Sequence, residues 1–404
     1  MKTLKLLFLL FLVNLSISSQ WYTLNSNTQE NLYFTKFFNE NIGWVAGQSK
    51  ILKTTNGGFN WIERSPSNNI YIRAGFFIDM NTGWLAGSND LLLKTTNSGS
   101  TWENKTGIQN TNWHAIHFTN INTGYIVGSS GKIIKTTNSG ITWFSLPSGT
   151  SSYLYAVYFI NSNTGWVAGY DGTVKKTTDG GASWFFLVTG VYPGFFEVFF
   201  IDENTGWLCS DNGDILKSTD GGLYWISQLS AGFGNELFSM DFLNSNSGWA
   251  AGHSGNIYAT TNGGINWVEQ SGSGSNTSVC LDMVNASVGY IAGYGGEILK
   301  TINGGFIGIT QISNLVPKGY QLKQNYPNPF NPVTNIEFDL PESSDVKLVV
   351  YNVTGSEVAI LANNYLSEGS YRVHFDASSM PSGTYIYKFF TPEFNASGRM
   401  VLVK

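Results

Sequence analysis

The chain has 404 residues, a formal net charge of -5 and only 12% charged residues. This weakly acidic balance provides no basic surface for nucleic acid, so nucleic-acid binding is excluded. Its 46 glycines and 15% aromatic residues favour short strands and tight turns over helices. We therefore predict an all-β chain of two or three domains.

Residues 1–19 are predicted to be a secretory signal peptide. Lys2 and Lys5 precede an apolar run from Leu6 to Val13, and small residues follow it. This segment is too short to span a membrane, and we expect cleavage between Ser18 and Trp21. No later segment is long and apolar enough to cross a membrane, so the mature chain is expected to have no transmembrane segment.

The central part of the chain repeats a short motif, first seen as "KTTNGGFNW" at 53–61. The last copy, at 300, is damaged and has Gly308 in place of the tryptophan. A Gly-Trp or Gly-Tyr landmark precedes each copy and begins at residues 43, 83, 124, 165, 206, 248 and 289. A period of about 41 residues built only from strand-like segments indicates a β-propeller.

Each repeat contains four strand-like segments, for example "LYAVYF", "WVAG", "TVKKTT" and "WFFLV" in the fourth unit. Seven units predict a seven-bladed β-propeller over residues 20–310. The N-terminal segment "QWYTLN" places Trp21 where a motif tryptophan would stand, although no motif precedes it. We expect this strand to complete the last blade beside residues 298–302, which would leave no open sheet edge at the seam.

The repeated motif is similar to the Asp-box, or bacterial neuraminidase repeat, Ser/Thr-x-Asp/Asn-x-Gly-x-Ser/Thr-Trp. The resemblance implies a structural hairpin clasp in which the Asn or Asp binds turn amides and the tryptophan packs between blades. The residues assigned to this role are Asn56, Trp61, Asn97, Trp102, Asn138, Trp143, Asp179, Trp184, Asp220, Trp225, Asn262, Trp267 and Trp21. The complete unit resembles more narrowly the propeller repeat of the photosystem II assembly-factor family.

The repeat ends near residue 310, and we expect a linker at 311–322 followed by a small Ig-like β-sandwich at 323–404. The blocks "QNYPNPFNPVTNIEFDLP" and "GRMVLVK" resemble the type A C-terminal sorting domain of the type IX secretion system of Bacteroidetes-like bacteria. The resemblance implies that the type IX secretion machinery delivers the protein to the cell surface or the medium. The sorting signal is expected at Gly383, Tyr385, Lys388, Arg399, Met400, Val401 and Lys404.

One position on the first strand of each repeat varies while the scaffold around it repeats. It lies ten residues before each landmark glycine and is occupied by Tyr33, Arg73, His114, Tyr155, Phe196, Phe238 and Val279. We predict that these residues form a binding ring for an extracellular protein or glycan, with packing between blades as the alternative role. His114 and His117, three residues apart on one strand, are expected to face opposite sides.

Glycoside hydrolysis is the enzymatic alternative. A sialidase site needs three arginines, and the propeller has only Arg64 and Arg73. The remaining candidate carboxylates are Glu197, Asp202, Asp241 and Asp282, of which Asp241 and Asp282 are expected to come close on neighbouring inner strands. Hydrogen-bonded or solvated channel walls are the other explanation of these acids.

We therefore expect an exported binding, adhesion or assembly module that is not an enzyme and needs no cofactor or metal. The four histidines are scattered, and the two cysteines, Cys209 and Cys280, fall two repeats apart. A secreted glycan-active hydrolase is the first alternative. A photosystem II assembly-factor-like protein, suggested by the propeller repeat only, is the second.

Overall fold

The computed structural model describes residues 21–66, 69–105, 111–260, 262–270, 274, 276–302, 304–305, 309–313, 315–377 and 380–404. The expected signal peptide at 1–19 and Gly308 lie outside these ranges. Within the described ranges, no helix has the length and apolar character needed to cross a membrane.

Residues 22–301 form seven four-stranded antiparallel sheets, the blades of a propeller. The innermost strands are Leu32–Phe37, Ile72–Phe77, Trp113–Phe118, Leu154–Phe159, Phe195–Phe200, Leu237–Phe242 and Ser278–Met283. The second strands are Gly43–Gly47, Gly83–Gly87, Gly124–Gly128, Gly165–Gly169, Gly206–Ser210, Gly248–Gly252 and Gly289–Gly293. The third strands are Ile51–Thr54, Leu92–Thr95, Ile133–Thr136, Val174–Thr177, Asp214–Ser218, Ile257–Thr260 and Ile298–Thr301.

The outer strands are shorter and less buried. They are Ile62–Glu63, Glu103–Asn104, Phe144–Leu146, Phe185–Phe186, Ile226–Ser230, Val268–Gln270 and, in the seventh blade, Tyr22–Leu24. Single 3-10 turns follow the second strand at Ser129–Gly131, His253–Gly255 and Tyr294–Gly296.

The ring of blades closes on itself. The inner strand of each blade contacts that of the next, and Ser278–Met283 contacts Leu32–Phe37 at the seam. The N-terminal strand Tyr22–Leu24 pairs with Ile298–Thr301 and so supplies the outer strand of the last blade. This pairing joins the beginning of the propeller to its end and covers an edge that would otherwise be open.

Trp21 anchors this N-terminal strand. Its side chain is fully buried, and its Nε1 donates to Gln270 Oε1 at 2.9 Å. If Gly305 carried a Cβ atom, that atom would lie 2.6 Å from Trp21 Nε1. The first motif shows the same relation between glycine and tryptophan, because a Cβ atom on Gly58 would lie 3.4 Å from Trp61 Cζ2. Trp21 therefore lies over the motif glycine of the seventh blade.

The aromatic residue of each Gly-Trp or Gly-Tyr landmark is buried between two blades. Six of these rings stack on a phenylalanine of the next inner strand: Trp44 on Phe77, Trp84 on Phe118, Tyr125 on Phe159, Trp166 on Phe200, Trp207 on Phe242 and Tyr290 on Phe37. Trp249 instead packs in one cluster with Met283. The landmark recurs because each blade must present a large flat ring to its neighbour.

The motif turn satisfies its own backbone amides. In the first copy, Thr54 Oγ1 accepts from Gly58 N at 2.9 Å and Asn56 Oδ1 accepts from Asn60 N at 2.9 Å. The five following copies repeat both bonds. The motif is thus a self-contained hairpin clasp at the outer part of each blade.

The lysine that opens the motif connects neighbouring blades. Lys176 Nζ lies 4.9 Å from the centre of the landmark ring of its own blade and donates to Gly221 O of the next blade at 3.1 Å. Equivalent carbonyl contacts are made by Lys94, Lys135, Lys217 and Lys300. The sixth blade has Ala259 at this position, and there Gly304 O accepts from Trp249 Nε1 at 2.7 Å.

The C-terminal part forms two four-stranded sheets that enclose one core. The strands of the first are Ile309–Ser313, Gly369–Asp376, Val333–Leu340 and Gln321–Leu322, and those of the second are Glu357–Leu366, Ser344–Asn352, Gly383–Phe390 and Asn395–Leu402. Phe338 and Phe389, one from each sheet, lie 4.7 Å apart between ring centres. The predicted all-β architecture, a seven-bladed propeller followed by a small Ig-like sandwich, is confirmed.

The segment expected to be a linker, residues 311–322, contains strand structure. Ile309–Ser313 pairs with Gly369–Asp376, and Gln321–Leu322 pairs with Val333–Leu340. Ile309 is buried in the sandwich core. The strand Ile309–Ser313, which includes the first residues of this segment, therefore covers a sheet edge instead of spanning free between domains.

Candidate functional site

A β-bulge occurs at the second residue of every inner strand. In the third blade the register shifts between Trp113 and Ala115, so His114 is the extra residue. His114 and His117 both line the central cavity as a result. The expectation that they face opposite sides is wrong, because regular alternation holds only for a strand without an extra residue.

The second residues of the inner strands form the mouth ring, Tyr33, Arg73, His114, Tyr155, Phe196, Phe238 and Val279. All seven line one cavity of about 450 Å³ at the centre of the propeller, which we call the funnel. The structure therefore brings together every residue that the sequence assigned to the candidate binding ring. The volume is within the range of about 300–1,000 Å³ that is usual for ligand sites.

Half of the mouth ring is a continuous series of aromatic contacts. The ring centres of His114 and Tyr155 are 5.3 Å apart, those of Tyr155 and Phe196 are 5.1 Å apart, and those of Phe196 and Phe238 are 5.0 Å apart. Each contact joins neighbouring blades. This side of the mouth offers aromatic faces and edges to a ligand while also packing the blades together.

The second blade, next to His114, adds a cation to the mouth. Arg73 lies over the ring of Tyr71, 5.1 Å from its centre, and donates from Nε to Ser88 Oγ at 3.2 Å. Tyr71 stacks on Tyr33, and their hydroxyl oxygens are 2.6 Å apart. Burial, together with the charge of Arg73, lowers the pKa of His114 to about 4, so His114 is neutral at neutral pH.

The fifth residues of the inner strands form a second ring, Lys36, Phe76, His117, Tyr158, Phe199, Asp241 and Asp282. Three of its polar members, His117, Asp241 and Asp282, bind the backbone of the next blade. His117 Nε2 donates to Phe159 O at 2.9 Å, and burial lowers the pKa of His117 to about 4. Asp241 Oδ2 accepts from Met283 N at 2.8 Å. This inner ring therefore holds neighbouring blades together.

Asp282 holds both a side chain and a backbone amide of the first blade. Its Oδ1 lies 2.6 Å from Lys36 Nζ, and its Oδ2 accepts from Phe37 N at 2.6 Å. Burial would lower the pKa of Lys36, but the carboxylates of Asp282 and Asp241 raise it above its usual value. Burial and the nearby charge of Asp282 raise the pKa of Asp241 to about 6. The two aspartates therefore interact electrostatically, with Lys36 beside them.

The two candidate carboxylates of the fifth blade differ in position. Glu197 lines the funnel, and burial, with the charge of Asp241 adding to it, raises its pKa to about 8. Asp202 lies in the turn after the inner strand, where its Oδ1 accepts from Asn204 N at 2.7 Å and Thr205 N at 2.6 Å. The candidate role of Asp202 is therefore wrong, because its carboxylate caps an exposed turn.

A second variable position surrounds the mouth, and sequence reasoning missed it. It follows the second strand of each blade and is occupied by Gln48, Ser88, Ser129, Tyr170, Asp211, His253 and Tyr294. Tyr294 lines the funnel, and its ring centre lies 6.0 Å from that of Tyr33. The sequence contains a signal for this position, because the residue differs from blade to blade although the second strand before it is repeated.

Family models match segments in both parts of the chain. Residues 13–108 and 105–194 match the family described as photosynthesis system II assembly factor YCF48, and residues 324–403 match the secretion system C-terminal sorting domain. The C-terminal domain is a type IX secretion sorting domain. The protein is therefore exported to the outer cell surface or secreted, and the sorting domain implies the type IX secretion machinery as a partner.

Solved structures resemble the propeller in fold. YCF48 bound to D1 peptide has 18% identity and a TM-score of 0.61, covering 70% of this chain and 96% of that one. YCF48 from Cyanidioschyzon merolae has 19% identity and a TM-score of 0.60, covering 70% and 99%. U3-55K has 12% identity and a TM-score of 0.60, covering 70% and 98%. No curated protein sequence matches the chain.

The residues proposed for the sorting signal lie on the last two strands of the sandwich and at the C-terminus. Tyr385 pairs with Met400, and both side chains are buried in the core. Lys388 and Arg399 are exposed, and Lys388 Nζ lies 5.0 Å from the ring centre of Tyr351. The others are Gly383 and Lys404, which are exposed, and Val401, which is half-buried. Only part of the set is therefore available to a partner in the folded domain.

Proposed function

We propose that this exported protein is a binding or adhesion module whose ligand occupies the mouth of the propeller. The observation that carries the proposal is the convergence of seven non-repeating residues on one cavity, while the repeating residues hold the blades together. Variable side chains on a rigid frame are the usual arrangement of a recognition surface. The ligand is an extracellular protein or a glycan.

The chemistry of the mouth supports binding. Aromatic faces at Tyr155, Phe196 and Phe238 provide apolar contact area, and the exposed Arg73 provides a fork of hydrogen-bond donors. A solved neighbour of similar fold is YCF48 with a D1 peptide. That likeness supports the use of such a propeller as a ligand carrier, and the ligand here follows from the residues of this chain.

The test is a glycan array and a pull-down of surface and medium components with the exported protein. Arg73→Ala and Tyr155→Ala should each weaken a detected interaction about tenfold, whereas Tyr224→Ala should leave it unchanged. Tyr224 is 68% exposed and lies in a motif turn outside the funnel. Binding that is insensitive to both mouth variants would remove the mouth from consideration.

Glycoside hydrolysis is the weaker alternative. Asp241 and Asp282 each hold a backbone amide of the next blade, which favours a structural role. Asp241→Asn and Asp282→Asn would abolish hydrolysis if these groups were the acid and nucleophile. The photosystem assembly role rests on propeller likeness alone, and the sorting domain directs this chain out of the cell.

A further inference from the structure

A second cavity adjoins the funnel at the fourth blade. Its volume is about 340 Å³, and Ser151, Ser152, Tyr153, Tyr155, Tyr170 and Asp171 line it. We call it the tyrosine pocket. Tyr155 also lines the funnel, so one side chain is shared by the two cavities. A ligand longer than one cavity can therefore pass over Tyr155 from one to the other.

Backbone hydrogen bonds build the walls of the tyrosine pocket. Tyr170 N donates to Tyr153 O at 2.8 Å, which ties the two walls together. The turn that follows is closed by Thr173 N donating to Tyr170 O at 3.1 Å and by Gly172 N donating to Pro193 O at 2.8 Å. These bonds within the fold fix the walls of the pocket, which reduces the entropy lost on binding.

Two of the tyrosine rings are half exposed in the free protein, Tyr153 at 48% and Tyr170 at 50%. Two carboxylates lie near these rings. Asp171 lines the pocket, and Asp211 and Tyr170 both lie close to Gly194. A Cβ on Gly194 would lie 2.7 Å from Asp211 Oδ2 and 3.8 Å from Tyr170 Cδ2. The glycine therefore lets an aromatic face and a carboxylate approach each other at the pocket edge.

We infer that the tyrosine pocket binds sugar units of a neutral oligosaccharide, whose chain continues over Tyr155 into the funnel. This inference rests on the proposed function of the mouth as a binding surface. A sugar ring presents a flat patch of C–H groups that fits an aromatic face, and its hydroxyls donate to carboxylates such as Asp171. The serine hydroxyls at 151 and 152 provide further partners.

The same features disfavour a peptide or an acidic glycan in this pocket. Among the described residues that line it there is no Lys, Arg or His to hold a carboxylate. Peptides that bind by strand addition need an open sheet edge, whereas this pocket is built from loop segments and side chains. The exposed cation of the mouth, Arg73, lines the funnel but not the tyrosine pocket.

The test is calorimetric titration of the exported protein with cellohexaose, laminarihexaose, xylohexaose and chitohexaose, and in parallel with a library of unstructured peptides. At least one oligosaccharide should bind. Tyr153→Ala and Tyr170→Ala should each weaken its binding about tenfold because a stacking face is lost. Tyr170→Phe keeps that face and should stay within about threefold of the original affinity. Tyr224→Ala is the matched control and should bind as the original protein does.

The outcomes separate this inference from the proposed function. Peptide binding without oligosaccharide binding would overturn the inference and leave the mouth as a binding site. If Phe238→Ala abolishes oligosaccharide binding while Tyr153→Ala and Tyr170→Ala leave it unchanged, the sugar binds in the funnel alone. That result would also overturn the inference and leave the mouth as a binding site. Failure of all four oligosaccharides to bind would overturn the inference, whereas the proposed function would fall only if the glycan array and the pull-down also detected no ligand that depends on the mouth.

Discussion

Lys36 Nζ and Asp282 Oδ1 lie 2.6 Å apart across the seam where the last blade meets the first. The other oxygen of Asp282 accepts from Phe37 N. One carboxylate therefore joins two inner strands that are separated by almost the whole propeller sequence. Because Asp282 is buried and Lys36 is partly exposed, the backbone bond should matter more than the ion pair.

Removing this carboxylate should weaken ring closure. Asp282→Ala is expected to lower the free energy of unfolding by about 2 kcal/mol, since a buried amide loses its acceptor. Chemical denaturation followed by tryptophan fluorescence measures the change. Glu63→Ala is the control, because the Lys50–Glu63 pair is more exposed and should contribute at most about 0.5 kcal/mol. Equal effects of the two variants would contradict the seam role.

Trp21 should be essential for the seventh blade. Trp21→Ala removes a fully buried side chain and its bond to Gln270 and should cost about 3–5 kcal/mol. Thermal unfolding of the variant, with Tyr224→Ala as an exposed aromatic control, provides the measurement. A melting temperature equal to that of the original protein would show that the N-terminal strand is dispensable.

The motif lysine should stabilise the contact between blades. Lys176→Met keeps the apolar stem but loses the charge and the bond to Gly221 O, and should cost about 1–2 kcal/mol. Lys347→Met, at an exposed position of the sandwich, should leave the unfolding of the propeller unchanged. If Lys176→Met lowers the free energy of unfolding no more than Lys347→Met does, the charge and the bond to Gly221 O contribute nothing measurable to stability.

Stability should fall as the pH rises, because of the buried acids of the funnel. The pKa of Glu197 is raised from 4.5 to about 8 in the folded protein. Between pH 4.5 and 8 the carboxyl group therefore keeps its proton in the folded state and has lost it in the unfolded state. The free energy of unfolding therefore decreases as the pH rises from 4.5, and this loss is complete above about pH 8. Glu197→Gln cannot ionise and should remove a loss on the order of 3–4 kcal/mol between pH 5 and 8.

Melting temperatures measured across that pH range test this prediction. Asp241, whose pKa is raised to about 6, adds a smaller decrease at the acidic end. The Glu197→Gln variant should therefore keep a small part of the decrease in stability with pH. A variant that retains the full decrease would show that Glu197 is not the titrating group.

Export should depend on the exposed part of the proposed sorting signal. Arg399→Ala should reduce the fraction of protein outside the cell without lowering the stability of the sandwich, because Arg399 is exposed. Met400→Ala should reduce export through unfolding, at a cost of about 2–4 kcal/mol, because its side chain is fully buried. Fractionation with immunoblotting, together with circular dichroism of each purified variant, separates the two causes. Normal export of Arg399→Ala would remove that residue from the signal.

Much of the fold could be predicted from local patterns. The blade number follows from the period of the Gly-Trp landmarks, and the clasps follow from hydrogen bonds within one turn, such as that from Gly58 N to Thr54 Oγ1. Asp241 and Asp282 could be named from the sequence, but their bonds to the backbone of the next blade could not. Burial and charge pairing depend on the neighbouring blade, which is remote in sequence.

The sequence by itself determined the propeller, the export route and the ring of variable residues, because each is written in a repeated or contiguous pattern. Only the tertiary structure decided that His114 and His117 share one cavity, since a bulge changes the direction of a side chain without changing the residue pattern. It also decided where the tyrosine pocket lies. Tyr153 and Tyr170 belong to different loops, and a backbone hydrogen bond between these loops holds them together.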